Sequence, residues 1–131
     1  MIYVDSSAIL KLFLADAESI PFQRWLVERT GIPVVTSELT RLETLRACRR
    51  EYDDVLLKAE AYLGFLDRVA LTNDILDDAV HVGDRVLRSL DAIHLASALA
   101  IREEVTAFVT YDRHLFDAAK EEGLDPVRPG A

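Results

Sequence analysis

Met1-Ile2-Tyr3-Val4-Asp5-Ser6-Ser7-Ala8-Ile9-Leu10 begins with a short run of apolar strand formers, halts at a carboxylate, and continues with apolar residues at helical spacing, Ala8, Ile9, Leu12 and Phe13. Strand, acid, helix is the unit from which the rest can be read. A second helix is signalled by Ser19 as N-cap and Pro21 just inside it, with Gly31 past its end. A strand over residues 32–35 follows, then a helix from Ser37 to about Tyr52, with Ser37 as cap and Glu38 in the first turn, where the macrodipole favours negative charge. Asp53-Asp54 breaks and restarts the helical pattern, which runs through Tyr62, Phe65 and Leu66. Further on the pattern predicts a strand over 69–71, a helix over 74–87, and an interruption at Ser89-Leu90-Asp91. A strongly apolar helix over 92–103, a strand over 107–110, a helix from Arg113 closed by Gly123, and a short strand at Pro126-Val127 complete it. Strands alternating with helices over short connections predict an α/β fold, a central parallel sheet of about four to five short strands flanked by helices. With no Gly/Ser/Pro linker or low-complexity run, residues 1–131 read as one domain.

The chain has 131 residues, with 15 Lys and Arg against 23 Asp and Glu, a net charge of −8, and 50% hydrophobic residues. That length suffices to bury a core without staples. A lone cysteine, Cys48, excludes an internal disulfide framework and fits a reducing compartment. The acidic balance argues against coating nucleic acid by bulk charge, though a local basic patch can still hold a substrate. No stretch reads as a signal peptide or a membrane span, so the expectation is a cytoplasmic protein with no membrane partner.

Four acids stand out by position. Asp5 follows the first strand and Asp112 follows the strand at 107–110. Each either caps the next helix or faces the crevice at the carboxyl ends of the strands, where ligands of open parallel sheets bind. Asp91 opens the apolar helix, as an N-cap or as an anion stabilised at a helix N-terminus that points into the protein. His94, three residues on, reads as a satisfied core histidine. Glu43 lies mid-helix; at about 100° per residue it falls within about 60° of Arg46 and Arg50. Either it forms a surface ion pair with Arg46, or it is an acid beside a basic stripe that touches phosphates.

Several carboxylates in one pocket repel, by about 4 kcal/mol for unit charges about 4 Å apart at an effective dielectric of about 20. A divalent cation relieves this, and all-oxygen ligands suit Mg²⁺ or Mn²⁺. Cys48, His81, His94 and His114 form no zinc-spaced cluster. A carboxylate-held Mg²⁺ activates water and steadies charge on a phosphoryl group, so phosphodiester hydrolysis is the natural reaction class.

Together, Tyr3-Val4-Asp5-Ser6-Ser7-Ala8, Thr36-Ser37-Glu38-Leu39-Thr40-Arg41-Leu42-Glu43, Leu90-Asp91-Ala92-Ile93-His94-Leu95-Ala96 and Val109-Thr110-Tyr111-Asp112 resemble the PIN-domain ribonucleases, above all the VapC-type toxins of type II toxin–antitoxin modules. The resemblance spans essentially the whole chain. It implies a Mg²⁺-dependent endoribonuclease, leaving a 5′-phosphate and a 3′-hydroxyl, whose acidic set is Asp5, Glu43, Asp91 and Asp112. Asp5 and Asp91 would be the metal ligands, Glu43 and Asp112 completing the cluster through water or a second ion. Ser6 and Thr110 match hydroxyls found beside these acids. Asp117, on a different helix face from Asp112, is left out. The resemblance also implies a homodimer and a cognate antitoxin whose C-terminal segment blocks the pocket, in keeping with an acidic surface that steers a basic inhibitor. Phosphate contacts would fall to Arg46, Arg49 and Arg50, with Lys11 and Arg85 or Arg88, unless that stripe is only a solvated helix face.

Two other classes compete. A non-catalytic PIN-fold interaction module would be marked by loss of one of the four acids, and all four are present. A different phosphoryl-transfer α/β protein would need a second Asp two residues after Asp5, where Ser7 stands, or a Lys after the last strand, where Thr110-Tyr111-Asp112 stands. No GxxxxGK[ST] loop occurs.

Overall fold

Parallel strands cannot be joined by a tight turn, so each β-to-β connection here must carry helix. In the computed structural model, which describes residues 1–131, five strands form one sheet: β1 (Ile2–Val4), β2 (Val34–Ser37), β3 (Asp67–Val69), β4 (Ala107–Val109) and β5 (Pro126–Val127). Every pairing is parallel, in the order β3-β2-β1-β4-β5. Helices α1 (Ser6–Leu10) and α2 (Ser19–Val27) connect β1 to β2, and α3 (Glu38–Glu51) and α4 (Asp53–Leu63) connect β2 to β3. Helices α5 (Asn73–Ala79) and α6 (Ser89–Ala100) carry the chain from β3 across to β4, and α7 (Arg113–Glu121) leads to β5.

Side chains alternate across a strand, and the two faces of β1 and β4 accordingly feed two cores. Ile2, Val4 and Val109 pack with Ala8, Ile9, Phe22 and Leu63 on one side. Tyr3 and Phe108 point to the other, stacked at 5.1 Å, and join Leu95 and Ala98 of α6 and Leu115, Ala118 and Ala119 of α7. The near-continuous burial of α6 from Ala92 to Ala98 follows from its place against this second face.

Several boundaries depart from the sequence pattern. β3 lies at 67–69, two residues before the apolar run expected to form it; as an edge strand it pairs only with β2, and Asp67 and Arg68 are exposed. Main-chain pairing, not apolarity, selects its register. β2 starts at Val34 and runs on to Ser37, while Ile32 lies in the turn after Gly31. Ser19 is the first residue of α2, not its cap: Glu18 holds the N-cap position without a side-chain bond, and the Ser19 hydroxyl accepts instead from the Asp16 N–H at 3.0 Å. α4 ends at Leu63 and leaves Phe65 89% exposed. α5 stops at Ala79, not 87, and the chain turns through Gly83 at φ +72°, a conformation that suits glycine. Ser89, Leu90 and Asp91 form the first turn of α6 after Arg88 as N-cap, where an interruption was expected, and that helix closes at Ala100.

Candidate active site

The winding runs outward from β1 to β2 and β3, then jumps back to β4 beside β1. The carboxyl ends of β1 and β4 are therefore the point at which the strand order reverses, the ligand-binding position of open α/β sheets. Asp5 follows β1 there and is only 3% exposed. Its side chain caps α1: Oδ1 accepts from the Ala8 N–H at 2.9 Å and from the Ser7 hydroxyl at 2.7 Å, while Oδ2 accepts from the Thr110 hydroxyl at 2.6 Å. The capping role and the crevice-facing role thus coincide in one residue. Burial pushes its pKa up, against the opposing pull of His94 and of these hydrogen bonds. Thr110 takes the expected place beside Asp5, but Ser6 does not. The first residue of α1 makes no hydrogen bond to the acid, and Ser7, one position on, both donates to Asp5 and accepts from the Tyr111 N–H at 2.9 Å.

Thr110 also joins the two strand ends, since its Oγ1 accepts from the Asp112 N–H at 3.1 Å. Asp112 caps α7 through Oδ1, which accepts from the Leu115 N–H at 2.8 Å, and its Oδ2 has no partner within the chain. Asp91 lies in the first turn of α6, half-buried, and its carboxylate makes no hydrogen bond. Desolvation raises its pKa first; the charges of Asp112, Asp5 and Glu43 raise it further, with His94 opposing. Three acids distant in sequence therefore act on Asp91 through space.

Glu43 reaches this group from α3. The ion pair with Arg46 does not form; Glu43 Oε1 accepts instead from His94 Nε2 at 2.7 Å. His94 is 2% exposed, and its other nitrogen, Nδ1, lies 3.0 Å from the Tyr3 hydroxyl. The reading of His94 as a satisfied core residue is right about its burial and incomplete about its partners. Arg46, Arg49 and Arg50 are exposed and free of ion pairs, as are Arg85 and Arg88. Lys11 is engaged elsewhere: it pairs with Asp16 and Glu18 and lies 4.8 Å from the centre of the Tyr111 ring, so it does not extend the basic stripe. Asp117 is exposed on the outer side of α7.

No group of three or more acid, imidazole or thiol side chains stands close enough together to hold a metal ion. What the site offers is open oxygen: both atoms of Asp91, Oδ2 of Asp112 and Oε2 of Glu43 lack partners within the chain, while Asp5 is fixed at the end of β1 by Ser7, Ala8 and Thr110. Such a set fits a hard ion that binds through one or two carboxylates and keeps several waters, and does not fit a four-ligand zinc site.

A family model described as PIN domain matches residues 2–121. Ribonuclease VapC47 from Mycobacterium tuberculosis (strain CDC 1551 / Oshkosh) is 40% identical over 134 aligned residues, covering 100% of this chain and 98% of the relative. Among solved structures, the sarcin–ricin-loop-cleaving toxin VapC20 of Mycobacterium tuberculosis superposes with a TM-score of 0.76 at 23% identity, over 98% of this chain and 100% of the other. A toxin–antitoxin complex from Klebsiella pneumoniae gives 0.70 at 19% identity, over 88% of this chain and 90% of the other.

Proposed function

The chain belongs to the PIN-domain family, and within it to the VapC ribonucleases; from that premise we propose that it is an endoribonuclease toxin whose acidic centre is Asp5, Glu43, Asp91 and Asp112. The observation that carries this assignment of residues is the joining of the β1 and β4 ends through Thr110, which donates to Asp5 and accepts from the Asp112 N–H, where the charges of Asp5, Asp112 and Glu43 bear on Asp91. A stable fold has no use for a half-buried acid set in the field of three others. A hydrolase that needs a cation does.

Asp5 and Asp91 would hold Mg²⁺, with Mn²⁺ as a substitute, Glu43 and Asp112 supporting it through water. When bound, the ion supplies a water of lowered pKa and a counter-charge for the phosphate under attack. The chain's own residues prepare the site. Ser7, Thr110 and the Ala8 N–H fix the orientation of Asp5, and the N-terminal turn of α6 favours the charged form of Asp91. The exposed guanidinium groups of Arg46, Arg49 and Arg50 line the same helix as Glu43 and are suited to contact RNA phosphates on either side of the cut.

No helix of the chain is long and apolar enough to cross a membrane, and we place its action in the cytoplasm, with residues 1–131 as one nuclease domain. A cognate antitoxin and a homodimeric state complete the reading. The antitoxin's inhibitory segment is expected to present a basic side chain, since the chain carries a net charge of −8.

Purified protein with Mg²⁺ should cut structured RNA and lose that activity on chelation, and Asp5→Asn should be inactive. Cleavage by the Asn variant at the wild-type rate overturns the assignment, because Asn keeps the shape of the side chain and removes its charge.

A further inference from the structure

Glu43 is the one acid of the four that reaches the site on a long, flexible side chain, and only His94 holds it. It lies 23% exposed on α3, within a turn or two of three unpaired arginines that could draw it outward. Its charge interacts unfavourably with that of Asp91, and fixing a Glu side chain in one rotamer is opposed by entropy. Something must keep it in place.

His94 is built for that purpose. It sits one turn along α6 from Asp91, so both occupy the same helix face. Its ring is 2% exposed and fixed from both ends: Nε2 to Glu43 at 2.7 Å and Nδ1 to the Tyr3 hydroxyl at 3.0 Å. Tyr3 is immobile in turn, fully buried in the central strand and stacked on Phe108 with rings 2° from parallel. An ionised carboxylate only accepts, so Nε2 must carry the hydrogen in this contact.

We propose that His94, braced by Tyr3, is a positioning residue that holds Glu43 in the acidic centre through an Nε2–H donated to the carboxylate. The proposal rests on the nuclease reading above and deepens it: the helix that supplies Asp91 also secures the fourth acid. A histidine filling the core would affect stability alone, whereas a positioning histidine also governs turnover.

The test pairs two substitutions with opposite geometry. His94→Gln can place an amide N–H where Nε2–H stood, whereas His94→Asn places its amide on the Tyr3 side and abandons Glu43. With RNA and saturating Mg²⁺, H94Q should keep most of the wild-type kcat. H94N should lose about 10- to 100-fold in kcat, the range for removal of a hydrogen-bond partner from a metal-site carboxylate, at unchanged KM. The double variant H94N/E43Q should be no slower than E43Q alone. Equal kcat in H94Q and H94N, or losses that multiply in the double variant, overturn the proposal. Should H94N fail to fold, Tyr3→Phe removes the brace with little change of shape, and kcat should fall at constant KM; an unchanged kcat counts against the proposal. A readout free of activity comes from long-range ¹H–¹⁵N correlation of the His94 ring in metal-free protein. Nε2 should be protonated and its resonance should move in E43Q. An unprotonated Nε2, or one indifferent to E43Q, overturns the proposal even if the chain cuts no RNA. Absence of cleavage by wild type with the expected ring signature instead refutes the nuclease reading and leaves the interaction between His94 and Glu43 standing.

Discussion

Asp91 makes no hydrogen bond with its side chain, is half-buried, and feels the charges of three other carboxylates and a histidine. Burial and the three carboxylates raise its pKa above the ordinary value of 3.8, against the opposing pull of His94. Between that value and the raised one the folded chain binds more protons than the unfolded one, so stability falls as pH rises through the window and the deficit persists at neutral pH. Asp91→Asn should therefore abolish cleavage yet raise the melting temperature at pH 7, with the gain vanishing below about pH 3.8. A calorimetric pH series checks it, and a variant less stable than wild type at pH 7 contradicts it. This trade of stability for chemistry is common at active sites. At this scale the sequence was informative about placement: Asp5 and Asp112 do follow strands and cap helices, and Asp91 does lie in the first turn of an apolar helix. It was blind to the partner of Glu43. A histidine on an apolar helix carries no sign of a residue 51 positions away, and the nearby Arg46 offered a plausible but wrong alternative. Ser6 in place of Ser7 is the same failure in small: which of two adjacent serines faces a capping acid depends on the turn of the first helical residues.

Among the elements, those with strong local chemistry were legible. Ser37 caps α3 by accepting from the Leu39 N–H at 3.1 Å, and α7 runs from Asp112 as cap to a turn at Gly123 with φ +83°, as their residues imply. Those shaped by a neighbour were not. β3 takes its place from β2, and α5 ends where the chain must turn toward α6. Gly83 makes that turn, and a Cβ there would come within 2.6 Å of the Leu87 side chain. Gly83→Ala should lower stability by about 1–2 kcal/mol, the penalty for a left-handed backbone with a side chain, read as a lower denaturant midpoint at constant slope. A neutral substitution would mean that the 80–88 segment does not hold this turn. Asp84 supports the same turn by accepting from the Val86 and Leu87 N–H groups at 3.0 and 2.8 Å.

Taken whole, the molecule is acidic, with a net charge of −8, yet presents three unpaired arginines on one helix beside its acidic centre. Under the proposed function, bulk charge repels RNA and favours a basic inhibitor, so local charge must do the holding. In an Asp5→Asn background that does not cut, replacing Arg46, Arg49 and Arg50 with Ala should weaken RNA binding. The slope of log affinity against log salt should flatten by about 2, at about 0.7 for each RNA phosphate that an arginine no longer neutralises. An unchanged slope assigns the stripe to solvent. Parallel pairing and a crevice at the strand ends were foreseeable from the alternation of strand and helix; the order β3-β2-β1-β4-β5 was not, because nothing local in a strand names its neighbour. In the proposed reading, activity, inhibition and the pH response of stability all trace to distant acids forming one centre for a hard cation. The most direct measurement is an anomalous difference map from crystals soaked in Mn²⁺. A peak bridging Asp5 and Asp91, absent in crystals of Asp91→Asn, is the result predicted. A peak elsewhere, or one at Asp5 that survives removal of the Asp91 charge, would contradict it.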